Sequence, residues 1–202
     1  MLFTVRFGNI LFCIFGRKNM PLLKPTVALD KVTDITPELL HDMKIDAILL
    51  DVDNTLAPPS DKTPYEGVQQ WIDEIKAAGF SVVICSNNFH KRIRPFSESV
   101  GLDCVAMSLK PFPFGFNRAK KKLCEKPKSV VVIGDQIYTD ILGANAAGMR
   151  SILLCPQSEE KGFSIWLRRR MERKIRSDLK IMKRGEKYVS ERDRYHRRNG
   201  RK

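Results

Sequence analysis

Two aspartates one residue apart, Asp51 and Asp53, close an apolar run and are followed by Asn54 and Thr55. If the run is a strand, alternation puts both carboxylates on one side and turns Val52 away. Like charges so close repel unless something compensates them. A hard divalent cation held through oxygens is the simplest compensation, and a phosphate substrate supplies a further ligand, as magnesium sites usually work. More polar groups follow at intervals: Ser86-Asn87-Asn88 after a second apolar run, Lys110 after a third, and Gly134-Asp135 after a fourth, with Asp140 shortly beyond. Lys110 and Ser86 can hold non-bridging phosphate oxygens, where charge must be stabilised during phosphoryl transfer.

The elements that must position these groups are legible as an alternation. Short runs rich in Val, Ile and Leu at 47–52, 81–85, 103–107, 129–133 and 151–155 read as five strands. Their near-continuous apolarity suits a parallel sheet covered on both faces. Between the first two, Val68, Trp71, Ile72 and Ile75 recur at helical spacing; Pro64 suits an opening turn and Gly79 a stop, so a helix is expected over 63–78. Further helices are expected over 89–100, interrupted by Pro95, over 114–124, and over 139–147, stopped by Gly148. The expected architecture is a doubly wound, Rossmann-like α/β domain over residues 22–157. Residues 1–21 form an extension and 158–202 a basic, partly helical or disordered tail. In such sheets ligands sit outside the carboxyl ends of the strands, where the carboxylates, the serine and the lysine all fall.

With the residues so arranged, LDVDNTL, CSNN, the lysine after the third strand and GDQIYTD together resemble the haloacid dehalogenase (HAD) superfamily of aspartyl-phosphate phosphatases. More narrowly, with TDILGANAAGM following, they resemble subfamily IIIA and its YqeG-type branch, which includes mitochondrial phosphatidylglycerophosphate phosphatases; the resemblance covers about residues 22–183. It implies that Asp51 is the nucleophile and Asp53 the acid, then base, with covalent catalysis dividing one displacement into two. It further implies phosphate binding by Ser86 and Lys110 with Thr55 and Asn87 beside them. Mg²⁺ would be held by Asp51, the main-chain carbonyl of Asp53, and Asp135, and Asp140 would orient the metal's waters or Lys110. The implied substrate is phosphatidylglycerophosphate; alternatives are a soluble phosphate ester, or an RNA- or ribosome-associated role for the tail.

Each residue taken singly has a plainer reading. Asp51 and Asp53 can close a turn, Asp135 or Asp140 can cap a helix or meet its dipole, and Lys110 before Pro111 can be a solvated loop lysine. The three histidines, His41, His90 and His196, are scattered, and only His90 falls near a motif. The intervals from Asp53 to Ser86, Ser86 to Lys110 and Lys110 to Asp135 leave no room for a cap domain. An open site is therefore expected, suited to a phosphate presented on something large.

Charge is distributed unevenly. Of the net +13, residues 168–202 carry 16 Lys or Arg against 5 Asp or Glu, net +11, and the remainder is almost neutral. Phe163, Ile165, Trp166, Leu167 and Met171 lie among or before Arg168, Arg169, Arg170, Arg173 and Lys174. Such a helix can lie on an anionic membrane, bind RNA, or simply be solvated. At the other end, Phe3, Phe7, Ile10, Leu11 and Ile14 share a helical face, yet the apolar stretch 10–15 is far short of the ~20 residues of a membrane span. Five cysteines without a CxxC pair fit a reducing compartment better than a disulfide framework. The expected location is cytoplasmic, peripheral to the inner membrane face, with an organellar matrix and a start at Met20 left open.

Overall fold

The computed structural model describes residues 22–123, 129–158 and 163–189. The expected N-terminal helical face and the end of the basic tail lie outside the described residues. The chain order is β1 (Val27–Leu29), α1 (Pro37–Asp42), β2 (Ala47–Leu50), α2 (Val68–Ala77), β3 (Ser81–Cys85), α3 (His90–Ser99), β4 (Asp103–Val105), α4 (Pro113–Lys120) and β5 (Val130–Gly134). A π-helical turn (Ile137–Ile141) then runs into α5 (Leu142–Ala146), β6 (Arg150–Leu154) and α6 (Phe163–Ser177).

The strands form one parallel sheet in the order β1-β6-β5-β2-β3-β4. β2 sits between β3 and β5, with Leu50 opposite Ile84 on one side and Ile133 on the other. The chain winds from β2 through β3 to β4, then returns to β5 on the far side of β2. The winding direction therefore switches between β2 and β5, which opens a crevice over their carboxyl ends.

Alternation divides each strand between two apolar layers. Ile48, Leu50, Val131 and Ile133 pack with Trp71, Ile72, Ile75, Ile93 and Phe96, whereas Leu49, Val83 and Val132 pack with Phe116, Ala119 and Ala144. The α2 stripe of Val68, Trp71, Ile72 and Ile75 is buried as its spacing requires, each large side chain contributing about 1.5–3 kcal/mol. Trp71 also donates its indole N–H to the Ile35 carbonyl at 2.7 Å, so its one polar atom is satisfied.

The structure departs from the sequence reading in four places. A sixth strand, β1, is only three residues long, too short for periodicity to register, and is defined by its pairing with β6. Helix α2 begins at Val68 rather than residue 63, because Gly67 takes a left-handed φ of 79° that ends the preceding loop. Helix α3 passes through Pro95 unbroken; the ring is exposed and one missing N–H removes a single helical bond. The segment after Gly134 opens with a π-helical turn before α5, where a plain helix was expected.

Part of the basic tail folds back onto the domain. Met182 donates its N–H to the Ala28 carbonyl at 2.8 Å, Ile175 and Leu179 pack against Ile137, Ile141 and Leu153, and Met182 and Tyr188 pack on the main core. Among the described residues, no helix is long and apolar enough to cross a membrane. Among the described residues no inserted cap interrupts the sheet: between Asp53 and β3 there is one loop and α2, and between β3 and β4 only α3 and short turns.

Candidate active site

The site is built on the ends of β2 and β5. Asp51 follows the last residue of β2 but stays anchored, donating its N–H to the Ile133 carbonyl at 2.9 Å. The chain then turns sharply: Val52 accepts bonds from the N–H groups of Thr55 and Leu56 at 3.1 and 2.8 Å, and Asn54 takes a positive φ of 58°. Asn54 and Thr55 are both buried, in the loop rather than around it. The Asn54 amide nitrogen and the Thr55 hydroxyl are buried without a hydrogen-bond partner.

Lys110 joins the two strand ends. Its Nζ donates to Asp51 Oδ1 at 2.7 Å and to Asp140 Oδ1 at 2.6 Å, and its side chain is 2% exposed. Asn87 holds the lysine's loop in place. It accepts the Lys110 N–H at 2.7 Å and the Ser108 hydroxyl at 2.8 Å, and donates to the Lys110 carbonyl at 3.0 Å. The amide of Asn87, expected beside the phosphate, is thus directed to the lysine loop. Ser86 is buried at the end of β3, where its hydroxyl accepts the Asn88 N–H at 3.3 Å and its carbonyl accepts the Ser108 N–H at 3.0 Å.

Asp140 reaches the site because Gly134 has no side chain: a Cβ there would collide with the Asp140 carboxyl group and stand 2.8 Å from its Cβ. The π-helical turn brings Asp140 back over β5, and its Oδ2 accepts the Gln136 N–H at 3.1 Å. Asp51, Asp135 and Asp140 each offer a carboxylate oxygen within 4.8 Å of the others, and all three are buried. Asp135 Oδ1 is buried without a partner. Three hard oxygen donors, one of them orphaned, fit a divalent cation such as Mg²⁺.

Electrostatics follow from this crowding. Burial raises Asp51 to about 7; the Lys110 charge opposes the shift, and the neighbouring Asp140 and Asp53 carboxylates add to it. Burial likewise raises Asp135 to about 8 against the pull of Arg169. For Lys110 burial disfavours the charge, yet Asp140 and Asp51 outweigh it and the ammonium is held well above its usual range.

Asp53 does not join the carboxylate cluster. Its Oδ1 accepts from Arg92 at 3.0 Å and from the Ser60 N–H at 3.2 Å, and its Oδ2 accepts from Asn88. Strand alternation fails as a guide here, since β2 ends at Leu50 and Asp53 lies in the turn. Arg92, which no sequence motif marks, is largely buried at the first turn of α3; it stacks 5.7 Å over Phe96 and leaves Nε and Nη1 buried without partners. His90 is exposed at the start of α3.

Three further residues come from the basic tail. Arg169 ion-pairs with Asp135, and buried Glu172 lies between Arg169 and Arg176. The spacing of a lone acid three and four residues from two arginines was a visible signal, but nothing local said what it faces.

A family model described as mitochondrial PGP phosphatase matches residues 12–99, which include Asp51, Asp53 and Ser86, and one described as HAD-hydrolase-like matches residues 109–156, which include Lys110, Asp135 and Asp140. The chain is 36% identical over 156 residues to the probable phosphatase YqeG of Bacillus subtilis, covering 77% of this chain and 91% of that one. It is 30% identical over 144 residues to the mitochondrial phosphatidylglycerophosphatase GEP4 of Saccharomyces cerevisiae, covering 64% and 76% respectively. A phosphoglycolate phosphatase of Colwellia psychrerythraea is 33% identical over 97 residues, or 44% of this chain and 42% of that enzyme.

Proposed function

This chain belongs to the YqeG-type, HAD-like phosphatases, and from that premise we propose that it hydrolyses phosphatidylglycerophosphate to phosphatidylglycerol, with Mg²⁺, through a phosphorylated Asp51. The observation that carries the chemistry is the buried contact of Lys110 with Asp51 and Asp140, beside the orphaned oxygen of Asp135.

Asp51 attacks phosphorus and the P–O bond to the alcohol breaks, leaving an aspartyl phosphate. Lys110 holds a phosphoryl oxygen and balances charge as the bond forms, and the hydroxyls of Ser86 and Thr55, the latter buried without a partner, donate to the phosphoryl oxygens. Asp53, on its own side of the loop, protonates the departing alkoxide. Its carboxylate then takes a proton from water, which attacks the aspartyl phosphate and restores Asp51. Asp51, Asp135 and the Asp53 carbonyl would hold Mg²⁺, which when bound neutralises charge on the transferring group. Asp140 positions Lys110 through the 2.6 Å contact, and Asn87 positions the loop that carries the lysine.

The lipid reading draws on similarity to the yeast enzyme and on the surface around the site. Phe89, Met107, Leu109 and Phe112 are exposed on the loops that follow Ser86 and flank Lys110, and Phe114 is exposed in the first turn of α4. Those loops are tied together by the Met107 N–H bond to the Asn88 carbonyl at 2.9 Å. On α6, Trp166, Leu167 and Met171 are exposed beside Arg170 and Arg173. Large exposed apolar side chains around an uncapped site suit a substrate embedded in a bilayer.

Purified full-length protein is assayed with Mg²⁺ on phosphatidylglycerophosphate in vesicles and on a panel of soluble phosphate esters. The expected result is faster turnover of the lipid than of any soluble ester, with turnover reduced by more than about 10³-fold in Asp51→Asn. Faster turnover of a soluble ester overturns the substrate; an active Asp51→Asn overturns the mechanism.

A further inference from the structure

Helix α6 carries six of the chain's 36 Lys and Arg residues, and beside the packed Ile175 its domain-facing side holds an ion-pair network. Glu172 is completely buried. Its Oε1 accepts the main-chain N–H of Ile137 at 2.8 Å, while its Oε2 accepts from Arg169 at 3.3 Å and from Arg176 at 3.1 Å. A buried carboxylate with two arginines and a main-chain donor is fully compensated, whereas removing the carboxylate leaves two partly buried cations facing each other.

Both arginines continue to the loop after β5. Arg169 donates to the Asp135 carbonyl at 3.0 Å and to Asp135 Oδ2, and Arg176 donates to the Asp135 carbonyl and to that of Leu154 at 3.3 Å. The helix therefore grips the Asp135–Ile137 segment at both ends, and it holds one Asp135 oxygen while the other, Oδ1, is left without a partner. An aspartate held by one oxygen cannot swing about its side-chain torsions, so the second oxygen keeps a fixed direction.

We propose that Arg169, Glu172 and Arg176 form a brace that positions Asp135 for the divalent cation, which makes the basic C-terminal helix part of the catalytic apparatus. The three are positioning residues acting through Asp135, and the inference rests on the reading of Asp135 as a metal ligand. Partners behind a metal ligand typically set 10- to 100-fold in affinity or activity, roughly the range expected here. Charge alone predicts the opposite sign for one of them. Arg169 is a cation beside a metal ligand, so its removal should tighten cation binding if it does no more than contribute charge.

The test measures Mg²⁺ binding calorimetrically to full-length wild type, Arg169→Ala, Arg169→Lys, Glu172→Gln and Asp135→Asn, each first checked for a cooperative melt in EDTA. The brace predicts a dissociation constant raised by about 10- to 100-fold in Arg169→Ala and Glu172→Gln. Arg169→Lys should recover only part of this, because an ammonium cannot make the two-point contact of a guanidinium. In turnover assays the same variants should need more Mg²⁺ but regain near wild-type kcat when it is saturating. Unchanged or tighter Mg²⁺ binding by folded Arg169→Ala overturns the brace. If Asp135→Asn binds Mg²⁺ as wild type does, the metal-ligand reading itself fails, and the brace with it. If Asp135→Asn is weakened and Arg169→Ala is not, the brace alone fails. Should Glu172→Gln not melt cooperatively, Arg169→Ala and Arg169→Lys decide the matter.

Discussion

Lys110 and Asp51, 59 residues apart in sequence, meet at 2.7 Å with the lysine side chain almost wholly excluded from solvent. Neither charge is tolerable there alone, and Asp140 completes the arrangement from the π-helical turn after β5. The cluster couples fold to chemistry: the groups that would hold a phosphoryl oxygen also neutralise one another in the resting protein.

Replacing Lys110 by Met should therefore cost both activity and stability. Two buried carboxylates lose their counter-ion, a loss of about 3–5 kcal/mol in metal-free protein. Turnover should fall by at least about 10²-fold through loss of transition-state charge stabilisation. Chemical denaturation in EDTA and steady-state kinetics in saturating Mg²⁺ measure the two effects separately. A variant as stable as wild type would show that the pair is not formed in solution.

Asp53→Asn should be selective in what it damages. A general acid contributes about 10²–10⁴-fold, and most where the leaving alcohol is poor. The variant should lose much of its rate on a glycerol-type phosphate and far less on p-nitrophenyl phosphate, whose leaving group needs no proton. Equal losses on both substrates would assign Asp53 to holding Arg92 and Asn88 rather than to proton transfer.

Stability should depend on pH with a definite sign. Asp51 and Asp135 titrate at about 7 and about 8 in the folded metal-free chain, against 3.8 as the ordinary value. The folded state then binds more protons than the unfolded one, so metal-free stability is lost as pH rises from about 4 to about 8. Mg²⁺ requires the ionised carboxylates, so its stabilising effect should grow over the same range. Melting temperatures with EDTA and with Mg²⁺ across this window test it; curves that stay parallel would refute it.

Gly134→Ala probes the approach of Asp140 to β5. The added methyl meets the Asp140 carboxyl group and must push it aside. Overpacking of this kind costs about 1–3 kcal/mol, and displacement of Asp140 should also loosen Lys110. The expected result is a lower melting temperature with a reduced kcat, measured by thermal melts and steady-state kinetics; an unchanged kcat would show that Asp140 keeps its place beside Lys110.

The sequence by itself determined the reaction class and most of the scaffold. Alternating apolar runs require a parallel sheet buried on both faces, and polar residues at four strand ends put Asp51, Ser86, Lys110 and Asp135 on one edge, since parallel strands all end on the same side. What it could not decide depends on contacts between distant segments. Asp53 follows Asp51 too closely for alternation to say that it turns toward Arg92 and Asn88, because the strand ends first. Three residues of β1 become a strand only by pairing with β6. The Arg169–Glu172–Arg176 spacing is visible on a helix, but only the packed tertiary structure aims it at Asp135, because a helical face has no partner until the rest of the chain supplies one.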